Sequence, residues 1–300
     1  MDKILITGAS GFVGYNLYSY LESSYNVDSL SARYIINQSF KVSTDAIIHL
    51  SGKAHDLKNV ANPQEYYEAN FELTKQLFDS FLQSNASIFI FMSTVKAVAD
   101  VAEGIITEET IPNPKTHYGI SKMQAENYIL NQPLPEGKRV YILRPCMIHG
   151  PGNKGNLNLL YRLVSKNITW PLAAFENQRS FLGIDNLCFV IQELINRSDI
   201  PSGVYNVADD TSLSTNELIV LISKSQNKQP KIIVVPKKII SFFARIGDVF
   251  QLPLNSERLL KLTESYVVSN DKIISAIGKP LPFSAEEGFN KTFQSLNDVQ

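Results

Sequence analysis

Short apolar runs alternate with amphipathic segments in the first half of the chain. Nearly uniform apolar runs lie at residues 4–6, 46–50, 88–92 and 140–143, a pattern typical of strands that are buried on both faces of a parallel sheet. In residues 70–81 apolar positions recur every four residues, which predicts an amphipathic helix over that range. Strands and helices that alternate in this way predict a doubly wound α/β fold with a parallel sheet.

The second half of the chain has shorter and less regular elements. Strand-like runs at residues 179–184, 204–207 and 232–235 are separated by helical segments. Asp185 follows the first of these runs and is predicted to cap the helix after it. This half contains no second glycine-rich turn, so it is predicted to be a smaller α/β unit built onto the first.

A glycine-rich turn follows the first apolar run directly. Gly8, Gly11 and Gly14 are spaced G-x-x-G-x-x-G between a predicted strand and a predicted helix. Glycines permit a sharp turn and close approach of the backbone to a phosphate, and the helix start adds unpaired N–H groups and a positive dipole end. Turns of this kind also join strands to helices that bind nothing. The position of this one favours a dinucleotide site that consists of Gly8, Gly11, Phe12, Val13 and Gly14.

The glycine turn also suggests how the chain is divided. Ligands of open α/β sheets bind outside the carboxyl ends of the strands, so the first half is predicted to hold the cofactor and the second half to cover the substrate. The predicted dinucleotide-binding Rossmann domain covers residues 1–150 with a return segment at 180–208, and the substrate-binding cap covers 151–179 and 209–300.

The end of the second predicted strand, residues 26–30, bears on the choice of cofactor. Dinucleotide folds commonly place an Asp or Glu there, against the ribose 2′-hydroxyl. Here Ser31 occupies that position and Arg33 follows, while Asp28 lies too early in the strand. A small residue with an arginine suits a 2′-phosphate. NADP(H) is therefore favoured over NAD(H), although a loop arginine on the surface fits the sequence equally well.

Candidate chemistry lies on a later helix. Tyr118 and Lys122 are four residues apart and project from one helix face. An ammonium near a phenol favours the phenolate, so the pKa of Tyr118 is expected to fall from about 10 towards neutrality, which suits acid or base work on an alcohol or ketone. Thr94, at the end of the strand at 88–92, is placed to donate a hydrogen bond to the substrate oxygen. A Tyr and a Lys at this spacing are expected about once by chance in a chain of this composition. The pair supports a catalytic role because it follows the glycine turn and Thr94 in this order.

Composition narrows the class of protein. The 300 residues are 44% hydrophobic with a formal net charge of −1, which provides no basic excess for nucleic acid. Apolar runs are too short to cross a membrane and the amino terminus lacks a signal-peptide pattern, so no membrane insertion and a cytoplasmic location are predicted. Cys146 and Cys188 are isolated, which indicates a reducing compartment and no metal site. His49 is interpreted as a packing residue of its strand.

Together these motifs resemble the extended short-chain dehydrogenase/reductase family, in its nucleotide-sugar epimerase/dehydratase branch. Residues 7–14, 48–52, 143–152 and 179–185 match family signatures. The resemblance implies catalytic roles for Thr94, Tyr118 and Lys122, and further cofactor contacts from Leu50, Ser51, Gly52, Asn70 and Lys122. For a UDP-sugar it implies a diphosphate clamp at Arg179, with Arg258 as a weaker candidate, and substrate contacts from Lys96, Asn156 and the segment 170–173. It also implies a possible homodimer.

Departures from the family pattern narrow the reaction. Dehydratases carry Asp-Glu directly after the catalytic Thr, whereas Val95 and Lys96 stand there, so elimination of water is not expected. His149 replaces the Tyr of the usual V-Y-G, and the sequence assigns it no role. The remaining resemblance implies a subgroup that acts at C4 of UDP-N-acetylated hexoses and includes both 4-ketoreductases and 4-epimerases. Because Ser31 and Arg33 favour NADP(H), a UDP-4-keto-6-deoxy-hexosamine 4-reductase is favoured within it. The alternatives are a UDP-hexose or UDP-N-acetylhexosamine 4-epimerase that retains NAD and, more remotely, a non-catalytic NADP-sensing protein.

Overall fold

The computed structural model describes residues 3–54, 62–153, 157–250 and 255–297. Its strands are β1 (Lys3–Thr7), β2 (Asn26–Leu30), β3 (Ala46–His49), β4 (Ile88–Met92), β5 (Ile105–Ile106), β6 (Arg139–Pro145), β7 (Met147–His149), β8 (Phe181–Gly183), β9 (Gly203–Val207) and β10 (Val267–Val268). Its helices are α1 (Phe12–Leu21), α2 (Pro63–Tyr67), α3 (Leu73–Leu82), α4 (His117–Leu130), α5 (Leu157–Ser165), α6 (Ile184–Asn196), α7 (Thr215–Ser225), α8 (Lys237–Phe250), α9 (Ser256–Thr263), α10 (Asp271–Ile277) and α11 (Ala285–Asn297).

Six strands form the central sheet in the order β2-β1-β3-β4-β6-β9. Every neighbouring pair in it is parallel, which confirms the predicted doubly wound α/β fold. After β1 the chain adds β2 on one side and then β3 on the other. The strand order therefore reverses between β1 and β3, and such a switch point opens a crevice at the carboxyl ends of the two strands.

Helices cover both faces of this sheet. Alternate residues of each inner strand point to opposite faces, so Ile48 and Ile90 pack with α1 and α6, whereas Ile47, Phe89 and Phe91 pack with α3 and α4. This two-sided burial explains why β3 and β4 are uniformly apolar in sequence. Among the described helices, none is both long and apolar enough to cross a membrane.

A second core lies in the later part of the chain. It is built from side chains of α5, α7, α8, α9 and α11, and it includes Trp170 and Leu172. In the chain, β9 lies between α5 and α7, which both belong to this second core. It nevertheless pairs with β6 in the central sheet, so the chain returns to the first core there. The domain boundaries themselves stay a prediction.

Three local predictions differ from the structure. The helix predicted over 70–81 begins at Leu73, after α2 and a π-helical turn at Glu68–Glu72. Asp185 does not cap α6: Gly183 is the capping residue, and the Asp185 carboxylate instead bonds to Lys291 at 2.7 Å. Residues 232–235 form isolated bridges with residues 170 and 172 in place of a regular strand.

A buried ion pair fixes α4 against the sheet. Arg144, at the end of β6, donates to the Glu126 carboxylate from Nε at 3.0 Å and from Nη2 at 2.5 Å. Both side chains are almost fully buried. Ser93, the residue after β4, donates its hydroxyl hydrogen bond to the same carboxylate. One carboxylate of α4 is thereby bound to the ends of two neighbouring strands by charge-assisted hydrogen bonds.

We expect loss of one partner to destabilise the protein more than loss of both. Arg144→Leu leaves the Glu126 carboxylate buried without a countercharge, at an expected cost of about 3–5 kcal/mol of unfolding free energy. The double variant Glu126→Leu/Arg144→Leu replaces the pair by packed apolar groups and should recover most of this loss. Urea unfolding of the four proteins gives the coupling free energy. Additive effects of the two single changes would contradict the assignment.

Candidate active site

The glycine turn is closely packed at the switch point. Gly8 has φ +75°, and a Cβ added there would lie 2.8 Å from the backbone nitrogen of Ser51, just after β3. A Cβ at Gly14 would lie 2.2 Å from the Gly8 carbonyl oxygen. No side chain caps the start of α1 at Gly11. Only glycine fits both positions, and the uncapped helix start is suited to a phosphate.

The end of β2 presents no carboxylate at the expected position. Ser31 and Arg33 are both exposed directly after the strand. Asp28 forms an ion pair with Lys3 at 2.9 Å, and Lys3 is the first residue of β1. This carboxylate is thus held towards the amino ends of the strands, away from the switch-point crevice. The structure agrees with the interpretation that Asp28 lies too early to bind a ribose.

His49 is enclosed at the end of β3. Its ring nitrogens are hydrogen-bonded to the hydroxyls of Thr7 at 2.7 Å and Thr74 at 2.9 Å, and its ring stacks on Phe91. Burial, and then the nearby Lys122 cation, lower the pKa of His49 to about 3. The imidazole is therefore neutral at physiological pH and packs within the sheet. The described residues hold no group of three or more His, Cys, Asp and Glu side chains arranged for a metal ion.

Asn70 joins the loop after β3 to α4. It lies in the π-helical turn, a rare local geometry that is frequent at functional sites. Its amide donates to the Lys53 carbonyl and to the Ser121 hydroxyl, each at 3.0 Å, and its carbonyl accepts from the Lys53 backbone N–H at 2.8 Å. A Cβ on Gly52 would lie 2.7 Å from the Asn70 amide oxygen and 3.2 Å from Lys122 Nζ. The buried Asn70 thus fixes the β3 loop beside Lys122.

The structure brings Thr94, Tyr118 and Lys122 together. Thr94 follows β4 and begins the short turn Val95–Ala97, against which the first turn of α4 with Tyr118 packs. One turn later, the buried Lys122 ammonium donates to the Met92 carbonyl at 2.8 Å and lies 4.6 Å above the Phe91 ring. Since these groups stand at the carboxyl ends of β3 and β4, they lie on the same edge of the sheet as the glycine turn.

The expected lowering of the Tyr118 pKa is wrong for this arrangement. Burial raises the pKa of Tyr118 above its usual value, and the Thr94 hydrogen bond opposes this only in part. The Lys122 ammonium is bound to the Met92 carbonyl, and burial lowers its own pKa to about 8 against the pull of the Glu126 carboxylate. Tyr118 is consequently a protonated phenol at neutral pH, which is the form that donates a proton.

Two predicted substrate residues lie in one cluster with residues around the end of α9. Lys96 Nζ donates to the Asp100 carbonyl at 2.6 Å and lies 4.2 Å above the Tyr266 ring. Arg179 donates to the Lys261 carbonyl at 2.7 Å and lies 3.8 Å from the Glu264 carboxylate. Burial lowers the pKa of both cations, while Glu264 raises it.

The sequence interpretation missed three members of this cluster. Lys261, Glu264 and Tyr266 lie around the end of α9, where no motif or periodicity marks them. Tyr266 also donates to the Ala99 carbonyl at 2.6 Å and so holds the segment that carries Lys96. Residues more than 160 positions apart in the chain meet here, and no local signal could have found them.

Other predicted substrate residues are not part of this cluster as described. Asn156 lies outside the described residues, and Arg258 is exposed on α9. In the segment 170–173, the side chains of Trp170 and Leu172 are buried in the second core, where the Trp170 indole N–H donates to Asn216 at 2.9 Å. These two side chains are used in packing, and a role of the segment 170–173 in lining the pocket stays a prediction.

His149 has a structural position. Its ring stacks on Phe289 of α11 with centroids 3.9 Å apart, and Nδ1 is hydrogen-bonded to Thr292 at 2.9 Å. Nε2 faces the buried Asp209 carboxylate at 3.5 Å. The histidine thus joins β7 to the last helix, a function that its sequence position did not reveal.

We expect Lys122→Met to stabilise the protein in a pH-dependent manner. Below pH 8 the native state bears the buried ammonium, so the variant should be more stable by at most about 3 kcal/mol. Between pH 8 and the ordinary lysine pKa of 10.5, the unfolded chain binds more protons than the native state, so the difference should shrink. Unfolding free energies across this pH range provide the test, and a constant difference would contradict a buried, shifted lysine.

Comparisons with known proteins agree with this geometry. Residues 4–208 match the model of the NAD dependent epimerase/dehydratase family. UDP-glucose 4-epimerase of Vibrio cholerae is 30% identical, over 98% of this chain and 95% of its own length. GDP-6-deoxy-D-mannose reductase of Pseudomonas aeruginosa is 26% identical, over 79% and 84%.

Solved structures share the fold over the whole chain. MoeE5 in complex with UDP-glucuronic acid and NAD superposes with a TM-score of 0.76 at 18% identity, and RMD from Pseudomonas aeruginosa complexed with NADPH with 0.72 at 22% identity. Each match covers 100% of both chains. The relatives include both epimerases and reductases, and these structures contain either NAD or NADPH. The chain belongs to the NAD dependent epimerase/dehydratase family and is an NAD(P)-dependent enzyme of nucleotide sugars.

Proposed function

We propose that the protein reduces the C4 ketone of a UDP-linked 4-keto-6-deoxy-hexosamine with NADPH. The observation that carries this proposal is the clustering of Thr94, Tyr118 and the buried Lys122 ammonium at the carboxyl ends of the strands. The raised pKa of Tyr118 keeps the phenol protonated, as a ketone reductase requires of its proton donor. Retention of all three groups argues against a protein that only senses NADP.

The described crevice fits a nicotinamide dinucleotide. A tight turn that only glycine can form meets an uncapped helix start, which suits a pyrophosphate. Arg33 would bind the 2′-phosphate with Ser31 beside it, and Lys122 would bind the nicotinamide ribose. When bound, NADPH supplies the hydride. The proposed cofactor contacts are Gly8, Gly11, Phe12, Val13, Gly14, Ser31, Arg33, Leu50, Ser51, Gly52, Asn70 and Lys122.

The side chains divide the remaining chemistry between them. Tyr118 donates its phenolic proton to the C4 oxygen as the hydride reaches C4, and Thr94 orients that oxygen by a hydrogen bond. Val95 is buried and Lys96 is held on Asp100 and Tyr266. Neither position supplies a carboxylate for elimination of water, which limits the proposal to redox chemistry at C4.

The cap supplies the proposed diphosphate contacts. Arg179 and Lys96 bring two cations to one cluster. In this structure both donate to backbone carbonyls, and Arg179 also forms an ion pair with Glu264. A diphosphate offers stronger acceptors in the same geometry. We therefore assign Arg179 and Lys96 to the UDP diphosphate, with Arg258 and Asn156 as further proposed contacts.

A 4-epimerase with retained NAD is the second candidate. The observation in its favour is the 30% identity with UDP-glucose 4-epimerase of Vibrio cholerae over 98% of this chain. Such an enzyme would first use Tyr118 as a base and would return the hydride to the opposite face of C4. The absence of a carboxylate at Ser31, which suits NADPH, favours the reductase.

Tyr118→Phe should abolish turnover while cofactor affinity stays nearly unchanged. The variant loses the proton donor but keeps the ring and Lys122, so kcat should fall by at least roughly 10²–10⁴-fold. Tyr128→Phe is the matched control, because it removes a phenol from the same helix whose hydroxyl bonds Asp79. Steady-state kinetics and NADPH titration measure both effects. Activity of Tyr118→Phe within tenfold of the parent would refute the assignment.

Arg33→Ala should remove most of the preference for NADPH over NADH. A guanidinium–phosphate contact contributes about 1.5–3 kcal/mol, so the Kd for NADPH should rise about 10- to 100-fold while the Kd for NADH hardly changes. Arg162→Ala, an exposed arginine on α5, is the control. Equal weakening of both cofactors would contradict a 2′-phosphate contact, and tightly bound NAD in the purified protein would favour the epimerase.

A further inference from the structure

Helix α8 presents an apolar face to solvent. Its exposed apolar side chains are spaced so that they lie along one side of the helix. Phe242 is 62% exposed, Val249 75% and Phe250 70%. We call this stripe the α8 face, and it consists of Ile239, Phe242, Phe243, Val249 and Phe250. A contiguous apolar patch of this kind marks a site of interaction.

The α8 face is not needed to hold the helix in place. Ile240, Ala244 and Gly247 on the opposite side are buried, and the first two belong to the second core. The helix therefore already has one packed apolar side. A second apolar side in water lowers solubility without stabilising this fold, so it calls for an external partner.

Basic residues lie along one side of the α8 face. Lys238 and Arg245 are exposed and lie on the helix next to Phe242 and Val249. Lys237 lies on the packed side, where its ammonium is 5.7 Å from the Phe175 ring centroid, so it is not part of this border. Asp248 is the sole carboxylate of α8, and its oxygens accept hydrogen bonds from the Ser256 backbone N–H at 2.9 Å and from its hydroxyl at 2.6 Å. The face therefore has a positive border.

The charges beside the α8 face favour an anionic membrane surface over a second copy of the chain as its partner. An apolar stripe with basic residues and aromatic rings is the composition of helices that lie in the plane of an anionic membrane surface. A symmetric contact with a second copy would instead bring the same basic border against itself. Asp248 lies on the helix away from the stripe, with its carboxylate directed to Ser256, so it would compensate little of that repulsion. An anionic lipid surface satisfies both the apolar stripe and its border.

We propose that α8 docks this protein on anionic membrane lipids. Phe242, Phe243 and Phe250 enter the boundary between headgroups and acyl chains, while Lys238 and Arg245 contact lipid phosphates. The helix lies in the plane of the surface and does not span it. Since α8 packs on α9, and the Lys261 carbonyl of α9 accepts the Arg179 hydrogen bond, docking places the cap close to the membrane. The proposal is independent of the reaction proposed above.

Sedimentation of the full-length protein with lipid vesicles tests this directly. Vesicles of phosphatidylglycerol with phosphatidylethanolamine should bind it, phosphatidylcholine vesicles should bind it much less, and added salt should release it. Lys238→Gln/Arg245→Gln should weaken binding to the anionic vesicles about 30-fold. Phe242→Gln/Phe243→Gln should weaken it about tenfold or more.

Matched controls separate docking from general effects. Ile111→Gln changes an apolar side chain that is 86% exposed elsewhere, and Lys272→Gln removes an exposed lysine of α10. Neither should alter vesicle binding, and all variants should keep the parent melting temperature and NADPH affinity. Absence of binding by the parent protein would overturn the proposal. A dimer that Phe242→Gln/Phe243→Gln dissociates, without vesicle binding, would identify a second copy as the occupant instead.

Discussion

The buried Glu126 carboxylate is the constraint on which the site depends. It is bonded to Arg144 at the end of β6 and to Ser93 at the end of β4, and it belongs to the helix that carries Tyr118 and Lys122. Thr94 is the neighbour of Ser93, so this carboxylate also fixes Thr94 beside the start of α4. A buried charge tolerates little displacement from its partners. The same bonds that hold α4 on the sheet therefore align its reactive groups.

Burial determines the protonation of the reactive groups. It raises the pKa of Tyr118, lowers that of Lys122 to about 8 and lowers that of His49 to about 3. Near neutral pH the site thus holds a protonated phenol and a neutral imidazole beside an ammonium with a reduced pKa. This set of charges suits proton donation to a ketone. It also explains why reasoning from the Tyr–Lys spacing alone predicted a shift of the wrong sign: spacing shows proximity along a helix but not the loss of solvent.

Local patterns were enough to predict the fold and the core of the site. Uniformly apolar strands, a glycine turn and a Tyr/Lys helix are each encoded within a few consecutive residues, and the parallel sheet then brings their ends together. Contacts between distant residues were not predictable. The pairing of Glu126 with Arg144 and the meeting of Lys96, Arg179 and Glu264 depend on tertiary packing. A single sequence carries no periodic signal for such pairs.

The source of the hydride at C4 is the most direct test of this account. The enzyme is given NADPH deuterated at the transferable position and a UDP-4-keto-6-deoxy-N-acetylhexosamine, and the product is examined by NMR and mass spectrometry. The account predicts one deuterium per product molecule, bound to C4, with NADP⁺ formed in equal amount. Turnover of a UDP-sugar to its C4 epimer without deuterium, by a protein that already holds NAD, would contradict it.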